Sequence, residues 1–333
     1  MSDRDYFRNK VFERDGYKCV FCEEKAVDAH HIIERRLWED GGYRIDNGAS
    51  VCEKHHLLCE STDISVEEVR EACGIKKVVL PDHMYVDHIY DKWGNHILPN
   101  KQRTKGPLFY DGSVQKILKP LIDAGVFTDY VKYPRTFHVP WSNIHSDDKI
   151  SQWMDNLWNK HVIITEKMDG ENTSLYRDHY HARSVDSKNH PTRNYVKATH
   201  SKFAHDIPNG WRVCGENLFA KHSIKYTQLP AYFLCFSIWD DKNYCLSWAE
   251  TLEWCSLFDI KTVPLLFDGI LTQSVVDSIS IDYNTCEGYV IRLADRFHYG
   301  QFHKSVAKFV RPNHIQTTKH WMMGQKIERN DLE

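Results

Sequence analysis

The sequence has no apolar run long enough to form a single-pass membrane helix. Its longest, YFLCFSIW at 232–239, falls far short of the about 20 residues a spanning helix needs. The opening MSDRDYFRNK is polar and charged where a secretory signal requires an apolar stretch. A cytoplasmic location without membrane partners is the expectation. Basic charge is not in excess either: 43 Lys and Arg against 46 Asp and Glu leave a formal charge of −3, which excludes an all-over electrostatic pull on nucleic acid. A local groove is still open to it, because KQRTKG at 101–106, with Lys132, Arg135, Arg183, Arg193 and Lys197, supplies basic groups in clusters. Nor do the ten cysteines form a disulfide framework. Cys214, Cys235 and Cys245 sit singly in apolar runs, and Cys59 and Cys73 complete no ligand set and read as core thiols. Cys19, Cys22 and Cys52 stand at metal spacing.

What is present divides the chain by composition, without a repeat or low-complexity linker. At 333 residues, 41% hydrophobic and 27% charged, it can hold two cored domains. Residues 1–75 are rich in His and Cys. Residues 131–333 are strand-dominated, with VIIT, YFLCFSIWD and EGYVIRL separated by polar turns. The connecting region, 76–130, reads as short strands around a Trp-Gly turn, then a helical pattern interrupted by Pro120.

In the first section an amphipathic helix is expected to end near Asp15-Gly16 and deliver Cys19 and Cys22; a second pair follows at Cys52 and His55. Three thiolates and one imidazole spaced C-x2-C…C-x2-H satisfy tetrahedral Zn2+, and a section this small needs such a staple to fold. Between the pairs lie DAHHII and IDNGAS, and His56 follows the second pair directly. The pattern HHI…DN…CxxHH over about residues 5–60 resembles the HNH endonucleases. The resemblance implies a ββα-metal module. His31 would be the general base for attack on a phosphodiester, Asn47 the residue that orients the loop opposite it, and His30 and His56 the holders of Mg2+ or Mn2+. The family more often carries Cys where His55 stands, so an exchange of roles between His55 and His56 stays open. So does a zinc knuckle that only binds nucleic acid.

The second section turns on TEKMDGENTS, 165–174. Asp169-Gly170 is expected to reverse the chain between the strands VIIT and TSLY, and so to hold Lys167 at the mouth of a pocket. A lysine that takes a nucleotidyl group must be a neutral amine, so neighbouring cations are expected to depress its pKa. Downstream come Arg183 in HARSVDS, Glu216 in RVCGENL, Phe236 in YFLCFSIWD, Glu287 in EGYVIR, and Lys304, Lys308 and Arg311 in HKSVAKFVRPNH. Each alone reads as a turn, a strand-end charge or core. In this order they resemble the covalent nucleotidyltransferases, and within them the ATP-dependent RNA ligases, from about Tyr133 through HWMMGQ at 320–325.

The resemblance implies an α+β adenylyltransferase domain built on antiparallel sheets, ATP-grasp-like, that joins 5′-phosphate and 3′-hydroxyl ends of nucleic acid. Lys167 would carry AMP, Glu166 lie against adenine, Arg183 contact the nucleotide or a 5′-phosphate, and Glu216 bind the ribose. Phe236 would stack on the base, Glu287 hold Mg2+ or Mn2+, and Lys308 clamp the α-phosphate with Lys304 or Arg311. Only about two dozen residues follow Lys308, so no C-terminal OB-fold is expected, which favours RNA joining over DNA joining or capping. A repair or processing enzyme that cuts and reseals is one expectation. A ligase with a zinc-bound binding platform and an adenylyltransferase acting on another acceptor are the alternatives.

Overall fold

A computed structural model describes residues 3–144, 148–185, 187–312 and 327–333; HWMMGQ lies outside the described residues. The chain divides into two compact units, Met1–Val131 and Lys132–Glu333.

The first unit opens with α1 (Asp3–Arg14), whose first turn carries Asp3 and Asp5 and whose last carries Arg14, the signs that complement the helix dipole. Its buried residues, Phe7, Val11 and Phe12, recur at helical spacing. The helix stops before Gly16, which takes φ +65°. An antiparallel hairpin follows, β1 (Asp28–His31) on β2 (Gly48–Val51), with His31 opposite Gly48. Gly48 is required where it stands: a Cβ there would come within 2.8 Å of the Phe7 ring. Next come α2 (Glu53–Glu60) and α3 (Val66–Ala72), the latter closed by a Ser65/Glu68 capping box.

The region 76–130 is part of this unit and does not stand apart as a connector. Its hairpin, β3 (Ile89–Tyr90) on β4 (His96–Ile97), turns through Gly94 at φ +82°. The buried Trp93 donates from Nε1 to the Glu60 carbonyl at 2.9 Å, and Arg103 reaches both Asp91 (2.9 Å) and Thr62 (2.7 Å). The next helix, α4 (Gly112–Asp123), runs through Pro120 and is not interrupted there. Proline removes one donor, to the carbonyl four residues back, but Lys116 and Pro120 are both exposed, so the missing bond falls on the solvent face of the helix, where it is tolerated.

Among the described residues, the second unit contains two sheets. In chain order its elements are β5 (Phe137–His138), β6 (His161–Glu166), β7 (Glu171–Leu175), β8 (Tyr180–Ala182), α5 (Asn194–Phe203), β9 (Arg212–Asn217), β10 (Phe233–Trp239) and β11 (Tyr244–Cys245). Then come α6 (Trp248–Leu257), β12 (Lys261–Thr262), β13 (Leu265–Ile270), α7 (Gln273–Ser278), β14 (Gly288–Leu293), β15 (Phe297–His298), α8 (Phe302–Ser305) and β16 (Val306–Val310). One sheet runs β13-β6-β14-β16-β5, the other β15-β11-β10-β9-β7-β8 with β12 beside β10. The sheets are antiparallel except at β16/β5 and β10/β12, which are parallel. The α+β class holds, with mixed rather than purely antiparallel pairing. β6 is buried on both faces, which is why it reads as a continuous apolar run. Ile163 packs with Leu218, Ile224 and Trp248, while Val162 and Ile164 pack with Leu271, Ile291 and Ala307.

β6 and β7 do not form the expected hairpin. β6 pairs with β13 and β14, β7 with β8 and β9, so Lys167–Gly170 carries the chain from one sheet to the other. Among the described residues, no helix is long and apolar enough to cross a membrane.

Candidate functional site

In the second unit a cleft of about 600 Å3 opens where the two sheets meet; Glu166, Lys167, Arg183, Glu216, Phe236 and Lys308 line it. The crossover that presents Lys167 is held on both sides. The Lys167 amide donates to Gly288 O at 2.9 Å. The Asp169 carboxylate accepts from Ser223 N (2.7 Å), Ser223 Oγ (2.6 Å) and Ile224 N (2.8 Å), and its own amide donates to the Tyr226 hydroxyl. Tyr226 is in turn tied to the buried Asn330, whose side chain accepts from its amide at 3.0 Å. A Cβ on Gly170 would lie 2.6 Å from Asn217 O, so only glycine lets the crossover press against β9.

The Lys167 ammonium pairs with the Glu287 carboxylate. Burial pulls its pKa down, but Glu287 and Glu216 outweigh burial and hold it above the ordinary lysine value. The expected depression by neighbouring cations is not what this state contains, because three carboxylates, Glu287, Glu216 and Asp169, face the amine. Depression falls instead on Lys308, which burial and the Lys167 charge bring down to about 8. Burial pushes Glu216 up to about 8 against the pull of Lys167, and burial raises Glu166, which faces the Cys286 thiol.

Phe236 reaches the cleft through a backbone irregularity. Cys235 pairs with Gly215 and Ser237 with Cys214, so Phe236 is the extra residue of a β-bulge. Its ring meets Tyr133 edge-on, with centroids 5.1 Å apart, and the buried Arg292 donates to Phe236 O (3.5 Å) on the strand and to Leu246 O (2.7 Å) just past β11. Arg183 stands just past the end of β8. Lys304 and Arg311 are not brought to the cleft lining. Lys304 lies on α8, and Arg311 supports Glu287 from behind, donating from its amide to Glu287 O at 3.0 Å. Sequence reasoning did not assign Tyr133 or Arg292 to this site. Nothing in spacing marks either, since both act through a strand bulge.

Residues 160–310 match the family model described as RNA ligase. No curated protein matches the chain. Among solved structures, a ligand-free mutant of Naegleria gruberi RNA ligase is 17% identical over 55% of this chain and 56% of that one, with a TM-score of 0.41. A mutant of the same ligase with ATP and Mn is 18% identical over 56% of this chain and 57% of that one, also at 0.41. The chain thus spans little more than half the length of the structures it matches.

Among the described residues, the first unit carries two clusters of side chains that could hold a metal ion. Cys19, Cys22, Cys52 and His55 bring their ligand atoms together. Cys22 Sγ and Cys52 Sγ are 3.8 Å apart, and His55 Nδ1 lies 3.2–3.6 Å from the three sulfurs. Bonds of about 2.3 Å to sulfur and 2.0 Å to nitrogen around a tetrahedral ion give edges of about 3.8 and 3.5 Å, so the four donors already outline that tetrahedron. His55 thus joins the cysteines and His56 does not.

His56 belongs to the second cluster, with His30 and a residue the sequence reading left out, Glu60. Glu60 Oε1 lies 3.4 Å from His30 Nδ1 and 3.3 Å from His56 Nε2. The signal for Glu60 was its position, one helical turn beyond His56 on α2. His31 follows on β1, its ring stacked on Phe7 at 4.5 Å and edge-on to Tyr43 at 5.5 Å; burial and Lys92 bring it down to about 4, a neutral imidazole at pH 7. Asn47 is fully buried and offers nothing to a substrate. Its side chain accepts from Ile33 N (2.9 Å) and donates to Ile33 O (3.0 Å) and Gly42 O (3.2 Å), bracing the loop beside β1.

Proposed function

We propose that the second unit is an ATP-dependent RNA ligase that works through a lysyl-AMP intermediate. One observation carries the reading: within a segment that matches the RNA ligase family, a half-buried lysine paired with Glu287 faces one cleft together with a bulge-borne aromatic, Glu216 and Lys308. Nζ of Lys167 attacks the α-phosphorus of ATP, forming an N–P bond as pyrophosphate leaves. A 5′-phosphate oxygen then takes AMP and frees the lysine, and a 3′-hydroxyl attacks the activated phosphate to seal the strand as AMP departs. Phe236 supplies a face for the base and Glu216 an acceptor for the ribose. Lys308 and Arg183 supply positive charge for phosphate oxygens. The carboxylates around Lys167 suit a hard divalent ion, and Mg2+ or Mn2+ held by Glu287 would neutralise triphosphate charge when bound.

The pKa pattern sets a pH dependence. Lys167 reacts only once deprotonated, and its pKa is raised, so single-turnover labelling by α-labelled ATP is expected to accelerate by up to about tenfold per pH unit. The rise should level off past about 8 as Lys308 loses its charge. Lys308→Arg, charged throughout, is expected to remove the plateau.

Sealing assays on RNA, DNA and hybrid ends test the whole reading. ATP-dependent joining of 5′-phosphate and 3′-hydroxyl RNA supports it. An adduct that forms but passes AMP to no 5′-phosphate would instead indicate another acceptor.

For the first unit we propose a module held by Zn2+ at Cys19, Cys22, Cys52 and His55, whose second cluster is a metal-dependent HNH-type nuclease site. The buried His30, whose Nδ1 faces Glu60 Oε1 at 3.4 Å beside His56, carries this reading. His30, His56 and Glu60 would hold Mg2+ or Mn2+, which stabilises charge developing on a phosphate. His31 would take the proton of the attacking water. With Mn2+, wild-type protein is expected to cut plasmid DNA or RNA, and His31→Ala to lose at least about a hundredfold of that rate. Cleavage by neither protein would favour a zinc-bound nucleic-acid platform.

A further inference from the structure

Lys92 comes from the β3–β4 turn, far in sequence from the histidines and cysteines, yet its ammonium sits in the His30/His56/Glu60 cluster. The side chain is 4% exposed and Nζ has three oxygen partners, His31 O at 2.9 Å, Glu60 Oε1 at 3.1 Å and Glu34 Oε2 at 3.3 Å, and lies over the Trp93 ring at 5.2 Å. Buried lysines are rare and need their charge matched. Here the match includes the same Glu60 oxygen that His30 and His56 face at 3.4 and 3.3 Å. One carboxylate oxygen therefore stands between two imidazoles and an ammonium.

A divalent ion bound by the two imidazoles and Glu60 needs that oxygen, and it would be repelled by a fixed positive charge just beyond it. Of the carboxylates around the cluster, Asp28 (3.6 Å from His56 Nε2) and Glu60 face the imidazoles, while Glu34 faces Lys92. Arg8 lies 3.8 Å from Asp28 and Arg36 3.1 Å from Glu34, so of the three cations set against these carboxylates Lys92 is the one that reaches Glu60. It also has somewhere to go: without Glu60 it keeps Glu34 and the carbonyl of His31, and through that carbonyl it holds the strand carrying the proposed base.

Resting on the reading of this cluster as a metal site, we propose that Lys92 is a positioning residue that occupies Glu60 in the absence of a divalent ion, moves onto Glu34 when one binds, and thereby weakens the site's affinity for the ion. The site would then fill only when divalent ion is plentiful or arrives with an anionic phosphate, which limits cutting by a module that shares its chain with a strand-joining unit.

The test is Mn2+ binding to full-length, zinc-loaded protein, by calorimetry and by the electron paramagnetic resonance signal of free Mn2+. The binding component that His56→Ala removes is assigned to this site. If His56→Ala removes none, the metal-site reading fails and the proposal goes with it. Lys92→Met is expected to bind Mn2+ at that site at least tenfold more tightly than wild type. Affinity unchanged or weaker, in a variant with full zinc content, overturns the proposal while leaving the metal site standing. Glu34→Gln removes the ammonium's second carboxylate and leaves every proposed ligand in place. It is expected to bind Mn2+ several-fold more weakly, the opposite sign, and equal or tighter binding overturns the proposal even if Lys92→Met does not fold. A purely structural lysine would move stability in both variants without opposite shifts in Mn2+ affinity.

Discussion

Lys167→Ala is expected to form no covalent adenylate: incubation with α-labelled ATP and Mn2+ should label the wild-type chain and leave the variant blank on a denaturing gel. The label on wild type should be acid-labile, as a phosphoramidate is. The expectation is an all-or-none loss because, among the described residues, no second amine is placed to substitute. Lys308, the other lysine lining the cleft, lies on β16, whereas Lys167 ends the crossover beside Glu287. The variant should fold, since the crossover is held by Asp169 and by the backbone pairing of residue 167, neither of which uses the lysine side chain. It does take the Lys167 ammonium away from the buried Glu287, at a cost of about 1.5–3 kcal/mol for a lost hydrogen bond to a charged group. Lys167→Arg, which keeps the charge, separates that loss from the loss of the nucleophile. A labelled Lys167→Ala chain would sink the assignment of this residue.

Cys52→Ser is expected to lose its stoichiometric zinc and, with it, the folded state of the first unit. Metal binding in small zinc domains is worth on the order of 10 kcal/mol, comparable to the whole stability of a domain. The core that surrounds the cluster depends on it, since Cys19, Cys52 and Cys59 pack with Ile32, Ile33, Val51 and Trp38 in one apolar cluster. Metal analysis should fall from one zinc per chain to near none, and the first unit should become rapidly proteolysed. Lysyl-AMP formation should survive, because every residue assigned to it lies within Lys132–Glu333. Full zinc content in Cys52→Ser would refute the ligand set.

Much of both sites was legible before any fold was known, for a chemical reason. Metal ligands and covalent nucleotidyl chemistry demand particular residue types, and few substitutes exist for three thiolates with an imidazole or for a lysine followed by Asp-Gly. The elements around them were legible where the signal is local: the end of α1 near Gly16, the Trp-Gly turn and the apolar strand β6. What escaped was non-local. Asp169-Gly170 looked like a hairpin turn because Asp-Gly makes one wherever two strands are adjacent. Which strands become adjacent is decided by sheet pairing, and β6 had already taken β13 and β14. Pro120 looked like a helix breaker, but its position on an exposed face makes one lost hydrogen bond tolerable.

The sequence by itself determined the inventory of candidates: Cys19, Cys22, Cys52 and His55 at the spacing a tetrahedral ion requires, His30, His31 and His56 around Asn47, and Lys167 with its proposed distant partners. These follow from chemistry that spacing and residue type carry on their own. The tertiary structure alone decided which groups share a volume and what charge state they hold there. It put Glu60 and Lys92 among the histidines, turned Phe236 into the cleft through a bulge, and set Lys308 in the cleft lining while leaving Arg311 to donate from its amide to Glu287 O. It also paired the Lys167 ammonium with Glu287 rather than leaving a neutral amine. Burial and proximity are sums over residues far apart in the chain, and electrostatic interaction at a few ångströms is set by those sums, which no local pattern encodes.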